Sequence, residues 1–189
     1  MPRPLALLAT LVVCASPLLA QEPAKTTFTI VGNVGYVRNV SHFETPIPGI
    51  NQNGAAGSLR FMWQPGHLLS AGFEVGSTRV YSVEQPMVDG STLDATLNAV
   101  PILAVFSMSP WQRLHLNLGT GFAISKSSVS SLGNDASASG FGYAFMASAG
   151  YLVPVGTRFG MGGEVKFLRM NQYDDNNLSF NLALSYRVK

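Results

Sequence analysis

The sequence predicts an all-β protein, an eight-stranded antiparallel up-and-down transmembrane β-barrel. The final twelve residues carry Leu, Phe, Leu, Leu, Tyr and Val at even positions from 178, with Ser, Asn, Ala, Ser, Arg and Lys between them. A period of two is typical of a strand with one apolar and one polar face, and a tilted strand of this length crosses a bilayer. Strand-like stretches recur along the chain, and their connections alternate between short and long.

Composition favours a membrane location. Of 189 residues, 47% are hydrophobic and only 12% are charged, whereas soluble domains average about 25% charged residues. The nineteen glycines and the lack of a sustained 3.6-residue period argue against helices beyond the N-terminus. The net charge of +2 gives no electrostatic support for nucleic-acid binding.

Residues 1–20 have the features of a secretory signal peptide. Arg3 supplies the positive end, an apolar run follows, and Ala20 precedes the expected cleavage site. Residues 21–189 then form the outer-membrane barrel domain. Cys14, the one cysteine, lies in the leader, so the mature chain is predicted to contain no disulfide. An alternative interpretation makes this segment a lipoprotein signal with Cys14 acylated.

Eight stretches have strand character: 27–38, 55–64, 68–79, 95–108, 112–124, 140–153, 157–170 and 177–188. Three connections are tight and rich in turn-forming residues, at 65–67, 109–111 and 154–156. Long connections on one side and tight turns on the other are typical of outer-membrane barrels. We therefore expect four external loops, at 39–54, 80–94, 125–139 and 171–176.

The two faces of each strand are distinct. Leu59, Phe61 and Trp63 share one face and alternate with Arg60 and Met62. A soluble periplasmic binding barrel would turn the apolar face inward around a ligand. Aromatic residues near the tight-turn ends instead favour the membrane, where they form an interfacial girdle. The predicted girdle is Phe28, Trp63, Phe106, Trp111, Tyr151, Phe159 and Tyr186.

Pro101 conflicts with this assignment, because proline cannot donate a ladder hydrogen bond. In a closed barrel it must occupy a bulge or a locally broken pair.

The chain resembles the small eight-stranded outer-membrane barrels, the opacity-type and OmpA transmembrane-domain-like proteins. The similarity covers residues 27–189 and is carried by residues 98–103, 116–122 and 142–151 and by the alternating last strand with Tyr186. It implies an outer-membrane location, contact with lipid and lipopolysaccharide, and insertion by the barrel-assembly machinery. Such chains usually end on an aromatic residue, whereas this one ends on Lys189, so recognition would rely on Tyr186.

The lumen of such a barrel is only wide enough for side chains. Arg60, Glu74, Glu164 and Lys166 point inward if the assigned faces are correct, and buried charges require partners. We expect Arg60 to meet Glu74 across the second hairpin, and Lys166 to meet Glu164 or its neighbours. The cluster either fills space or gates a passage for ions or water.

No catalytic, metal or cofactor residues are predicted. A nucleophile would need a histidine base and a third, orienting group, and His42, His67 and His115 are not placed beside such residues at the lipid-facing rim. Asp174 and Asp175 lie in a polar turn without the spacing of a calcium loop. We expect a monomeric, non-enzymatic barrel with a structural or surface-interaction role and an unknown external ligand. The alternatives are a narrow passive channel and a lipid A modifying enzyme.

Overall fold

The structure, a computed structural model, describes residues 26–41, 50–66, 68–86, 92–131, 134–172 and 175–188. The predicted signal peptide of residues 1–20, Cys14, His42, His67 and Asp174 lie outside these ranges. Within them, no helix is long and apolar enough to cross a membrane.

Eight long strands and one two-residue strand form a closed sheet. The strands are β1 (Thr27–Asn39), β2 (Ile50–Asn51), β3 (Asn53–Gln64), β4 (Leu69–Pro86), β5 (Thr92–Trp111), β6 (Leu114–Ser131), β7 (Asn134–Val155), β8 (Phe159–Met170) and β9 (Asp175–Val188). Neighbouring long strands pair antiparallel, β4 pairs with β5, and β1 pairs with β9 from Phe28↔Val188 to Asn39↔Asn177. This confirms the predicted eight-stranded barrel, to which β2 adds a short pairing with β4.

The ladder also fixes the strand tilt. We follow directly paired residues once around the barrel, from Arg38 on β1 through β9, β8, β7, β6, β5, β4 and β3. The path returns to β1 at Phe28, ten residues before Arg38, and this offset is the stagger of the barrel. With about 3.3 Å per residue and about 4.8 Å between strands, the strands tilt by about 40°. Ten residues of a strand therefore rise by about 25 Å along the barrel axis, which is the height of the apolar band of outer-membrane barrels.

At one end of the barrel the connections are tight. Gly66 and Gly156 adopt φ values of 84° and 88°, a region that favours glycine. The predicted turn at 109–111 is wrong in position, because Trp111 pairs with Leu114 and the turn follows at Gln112 and Arg113. In the same way, Val155 pairs with Phe159 and still belongs to β7.

At the other end, two predicted loops are largely strand. The β4–β5 ladder continues to Pro86↔Thr92, and the β6–β7 ladder continues to Ser131↔Asn134. These polar segments extend strands that are already paired, so the loop assignments are wrong for residues 80–86, 92–94, 125–131 and 134–139. Residues 87–91 and 132–133 lie outside the described ranges. We call residues 80–86, 92–97, 125–131 and 134–143 the raised sheet. From the strand rise and tilt, Ser130 lies about 15 Å above the end of β8.

Pro101 occupies a broken pair, as the sequence predicts. It pairs with Ala123 of β6, but towards β4 the ladder skips from Val75↔Ile102 to Thr78↔Ala99. The missing proline N–H therefore falls where no ladder pair forms. Nearby, the register shifts between Arg79 and Tyr81, so Val80 is the extra residue of a β-bulge.

The apolar faces of the strands point away from the lumen. Leu59, Phe61 and Trp63 are 36–48% exposed on β3, whereas Arg60 and Met62 between them are at most 5% exposed. The last strand follows the same rule, with Leu182 and Leu184 exposed and Ala183 buried. The predicted faces are therefore confirmed for these strands, and the interpretation of a soluble barrel with its apolar residues inside is wrong for them.

Candidate functional site

Four charged side chains meet across the middle of the lumen. Arg60 and Glu74 are direct partners in the β3–β4 ladder, and Arg60 Nε donates to Glu74 Oε2 over 2.6 Å. The guanidinium also donates two bonds of 2.9 Å to both carboxylate oxygens of Glu164. Lys166 Nζ lies 2.5 Å from Glu74 Oε1 and 3.4 Å from Glu164 Oε1. The structure thus brings together all four sequence-predicted charges, which we call the lumen ion cluster.

The cluster is buried and neutral. Its side chains are 3–10% exposed, and two cations face two carboxylates. Bidentate Arg–carboxylate geometry adds orientation to attraction. Lys166 also donates to Ser58 Oγ over 3.0 Å. Removing one charge would leave another buried without a full complement of partners, which costs more than losing an exposed pair.

Below the cluster, towards the tight turns, the lumen opens into a vestibule lined by both polar and apolar side chains. A cavity of about 450 Å³ extends from Arg60 and Glu164 to Arg113, Arg158 and Arg187 at the rim. Its wall includes hydroxyl, amide and imidazole side chains from several strands, among them those of Thr29, Gln64, Ser107, His115, Asn117 and Ser185. The vestibule is therefore large enough to hold water and offers it polar partners.

Above the cluster, packed apolar side chains share the lumen with buried polar ones, among them Asn39, Thr78, Ser125, Asp175 and Asn177. Val80, Leu97, Leu103, Met146 and Met170 are each at most 2% exposed and belong to one packed cluster. We call the upper part of this cluster the apolar plug: Val80, Leu97, Ala99, Leu103, Ala123, Ala144, Met146, Leu168 and Met170. Met62 and Val105 are the other members of the cluster. The lumen is therefore partly apolar and closely packed in this half.

A small cavity of about 30 Å³ separates the ion cluster from the plug, lined in part by Ser58, Thr78, Lys166 and Asn177. This is room for roughly one or two water molecules. Both side-chain polar atoms of Asn177 are buried and have no protein partner, so they are the groups that such a water would satisfy.

His115 is the one histidine within the described residues, and it lies in the vestibule. Its Nδ1 is 2.8 Å from Ser109 Oγ, but no carboxylate accepts a bond from it among the described hydrogen bonds. Asp175, considered above for calcium, points inward and accepts a bond from Asn39. Within the described residues, no group of three His, Cys, Asp or Glu side chains could hold a metal ion.

The seven predicted girdle residues lie on the outer surface. Six are 48–70% exposed, and Tyr186 packs on Phe159 with ring centroids 5.0 Å apart. The strand rise and tilt give the height of each residue along the barrel axis. Phe106 lies about 9 Å higher than Phe28, and the other five girdle residues lie within about 6 Å of the height of Phe28.

A second aromatic ring borders the opposite edge of the apolar surface. Tyr36, Phe122, Tyr143 and Phe145 are 37–77% exposed and lie about 20–26 Å above Phe28. Sequence reasoning missed this ring, although each residue shares its strand face with outward Leu, Ile, Val or aromatic neighbours. The same alternation along the strands places Arg38, Arg79, Lys126 and Arg169 on the outer surface. Sequence reasoning did not identify these four exposed basic residues either.

The model of the family described as "outer membrane protein beta-barrel domain" matches residues 5–187. The chain belongs to this family. Among solved structures, it resembles Ail, the attachment invasion locus protein of Yersinia pestis, crystallised with the heparin analogue sucrose octasulfate. That match has a TM-score of 0.56 and 16% identity, and it covers 86% of this chain and 97% of Ail.

The chain also resembles Neisserial surface protein A, with a TM-score of 0.52, 12% identity, and coverage of 84% of this chain and 96% of that protein. Identities this low establish a shared fold and no more. A search of curated proteins gives no significant match.

Membership of this family assigns the protein to the bacterial outer membrane. The surface between the two aromatic rings therefore faces lipid, and its height of about 25 Å matches the hydrocarbon-facing band of outer-membrane barrels. The lumen ion cluster lies near the middle of this band, at the boundary between the vestibule and the apolar plug.

Proposed function

We propose that this protein is a monomeric, non-enzymatic outer-membrane barrel that acts at the cell surface through its long-hairpin end. The observation that carries the proposal is the raised sheet. Its four strands continue the barrel wall about 15 Å beyond the end of β8, and half of its residues with described side chains are Ser, Ala or Thr. A paired sheet presents a fixed surface, which a partner binds at a lower entropic cost than a loose loop.

The proposed orientation places the raised sheet outside the cell. An even number of long strands leaves Thr27 and Val188 together at the tight-turn end, which is the periplasmic end of bacterial outer-membrane barrels. Residues 1–20 would serve as the export signal and be removed. Insertion would involve the barrel-assembly machinery, with Tyr186 of β9 as the recognised aromatic residue. The surrounding partners would be outer-membrane lipid and lipopolysaccharide.

Shortening the raised sheet tests the proposal. In one variant, residues 82–96 and 128–137 are each replaced by Asn-Gly, so that Tyr81 and Leu97, and Ser127 and Ala138, flank two-residue hairpin turns. A strain lacking the gene is complemented with the full chain or with this variant. A heat-modifiability gel checks that both barrels are folded.

Two readouts separate a surface role from a structural one. Attachment to heparin-coated plates is the first assay, because Ail was crystallised with a heparin analogue, and detergent sensitivity reports envelope integrity. We expect the full chain to restore both properties and the shortened chain to restore detergent resistance alone. Equal attachment by the two complemented strains would contradict a surface role for the raised sheet.

A gated passage is the second candidate, because cavities lie on both sides of the lumen ion cluster. The apolar plug opposes it, since an ion would have to displace packed Leu and Met side chains. Planar-bilayer recordings of the wild type and of Glu74→Ala test this candidate. If conductance is the same in both, the ion cluster is not a gate.

A lipid A modifying enzyme would need a nucleophile, a base and an acid together at the lipid-facing outer rim. The described Ser109–His115 pair lies at the opposite end of the barrel. We therefore expect Ser109→Ala to leave the lipid A of the cell unchanged by mass spectrometry. A change in its acyl chains or phosphates would contradict the non-enzymatic assignment.

A further inference from the structure

Two arginines lie side by side at the mouth of the vestibule. The backbone N–H of Arg187 on β9 donates to the carbonyl of Arg158 over 2.8 Å, at the end of the β8–β9 ladder. The next pair, Phe159 and Tyr186, packs together on the outer surface, so strand alternation turns both arginines towards the lumen. Both line the vestibule, and directly opposed side chains have Cβ atoms about 5 Å apart. The two guanidinium groups therefore share the opening of the cavity.

Within the described residues, no carboxylate compensates this pair of charges. The four described ion pairs all belong to the lumen ion cluster, where Arg60 and Lys166 already share the two carboxylates. The other acidic residues of the described strands lie at the raised-sheet end: Glu84, Asp94, Asp135 and Asp175. Like charges at directly opposed positions destabilise an antiparallel pair. The mouth of the vestibule is therefore a positively charged site that a bound anion would stabilise.

The wall above the arginines offers both polar and apolar contacts. Ser185 is paired with Gly160, and a Cβ atom on Gly160 would lie 2.6 Å from Ser185 Oγ, so glycine leaves room around this hydroxyl. Val31, Met62 and Leu152 also line the cavity. An anion that carries an apolar group would use both parts of the vestibule.

We propose that the vestibule binds a small organic phosphate, a monoester whose second part is apolar. Its phosphate group would lie between Arg158 and Arg187, and its apolar group would lie beside Met62 and Leu152. The cavity volume of about 450 Å³ falls within the range of small-molecule sites, about 300–1,000 Å³. In the proposed orientation the mouth faces the periplasm, so the ligand would be a periplasmic solute. The inference goes beyond the proposed surface role and does not depend on it.

A phosphate monoester matches the two arginines better than a carboxylate or a phosphodiester. It carries about 1.5 to 2 negative charges near pH 7 and three acceptor oxygens, and guanidinium groups bind phosphate oxygens through paired hydrogen bonds. One such group can therefore engage both arginines. A carboxylate has a single charge and two oxygens, which one guanidinium occupies. The phosphodiester of a phospholipid also carries a single charge, so it would neutralise only one arginine.

Isothermal titration calorimetry with phenyl phosphate, on the folded barrel in non-ionic detergent micelles, tests the site. We expect R187Q to weaken binding at least about tenfold, because it removes a charged hydrogen-bond donor. R187K keeps the charge without the paired geometry, so its affinity should fall between those of R187Q and the wild type. The matched control R38Q removes an exposed arginine at the opposite end and should change affinity by less than about twofold. Failure of the wild type to bind phenyl phosphate at millimolar concentration, or equal affinities of R187Q and R38Q, would overturn the proposal.

The stability of the empty barrel provides a second readout. R187Q removes the repulsion between the paired arginines, so the urea midpoint of the unliganded variant in lipid vesicles should lie above that of the wild type. R38Q should leave the midpoint unchanged, and a heat-modifiability gel verifies that each variant is folded. If Arg187 only supported the fold, its removal would lower the midpoint. A lower or unchanged midpoint for R187Q would therefore overturn the inference that an anion completes this site.

Three competitors identify the chemical class of the ligand. Inorganic phosphate lacks the apolar group and benzoate lacks the second charge, so each should bind at least about fivefold more weakly than phenyl phosphate. Phosphatidylglycerol added to the micelles should not displace phenyl phosphate. Inorganic phosphate or benzoate binding as tightly as phenyl phosphate would overturn the monoester assignment. Displacement by phosphatidylglycerol would show that a lipid headgroup occupies the site, and it would overturn the assignment too.

Discussion

The two halves of the lumen are lined by the same long strands but are filled differently. Towards the tight turns, Ser107, His115 and Asn117 surround a vestibule of about 450 Å³. Towards the raised sheet, Leu103 and Met146 belong to a packed apolar cluster. The difference shows that a barrel which buries its polar face need not be wet along its whole length. The lumen ion cluster lies where the two environments meet.

The largest expected effect comes from breaking the ion cluster. Glu74→Gln leaves Arg60 and Lys166 with one buried carboxylate between them, which should destabilise the barrel by roughly 3–5 kcal/mol. Urea unfolding in lipid vesicles measures this loss. The double variant Glu74→Gln/Lys166→Met restores charge balance around the Arg60–Glu164 pair. It should be more stable than the single variant, and the opposite order would show that net charge is not what the cluster must satisfy.

A matched pair of leucines compares the two halves directly. Leu103→Ala removes a side chain that is 2% exposed in the apolar plug and should cost about 2–5 kcal/mol. Leu152→Ala removes one that lines the vestibule, where water can occupy the space, so its cost should be below about 1.5 kcal/mol. Similar losses in urea unfolding would contradict the contrast between a packed and a hydrated half.

The facing of the strands can be tested on β9. Leu182→Arg places a charge on the lipid-facing surface near mid-band and should cost roughly 2–4 kcal/mol. Ser185→Arg places the same charge in the vestibule and should cost much less, because the side chain can reach water. Equal tolerance of arginine at the two sites, measured by the folded fraction in vesicles, would contradict the assigned faces.

Strand alternation made most of the barrel predictable from sequence. Each spanning strand has a lipid-facing side and a lumen-facing side, and successive side chains alternate between them. The outward face of Leu182 and the inward face of Arg60 therefore follow from their positions in this alternation. The heights of the hairpins were not predictable in this way. Residues 125–139 are rich in Ser and Ala and resemble a loop, but 125–131 and 134–139 continue ladders that are already formed lower in the barrel.

The ion cluster was also easier to predict from the sequence than the apolar plug. Arg60, Glu74, Glu164 and Lys166 lie on the lumen-facing side of their strands, so alternation along the strand was enough to select them. The bidentate contact between Arg60 and Glu164 could not, since it joins β3 and β8, which are not neighbours in the sheet. The plug had a weaker signal in the continuous apolar run at 99–106, which is typical of a strand buried on both faces.

The most direct test of the two-part lumen is the reactivity of single cysteines, introduced one at a time at two inward-facing serines. The single native cysteine, Cys14, lies in the predicted leader, so each variant would present one thiol in the mature chain. Ser107→Cys lines the vestibule, whereas Ser125→Cys replaces a side chain that is 2% exposed in the other half. The folded barrel is treated with a water-soluble, membrane-impermeant maleimide.

We expect rapid labelling at position 107 and almost none at position 125 until the barrel is unfolded. Equal labelling of the two folded variants would contradict the account, because water would then reach the half of the lumen that the apolar plug is inferred to close.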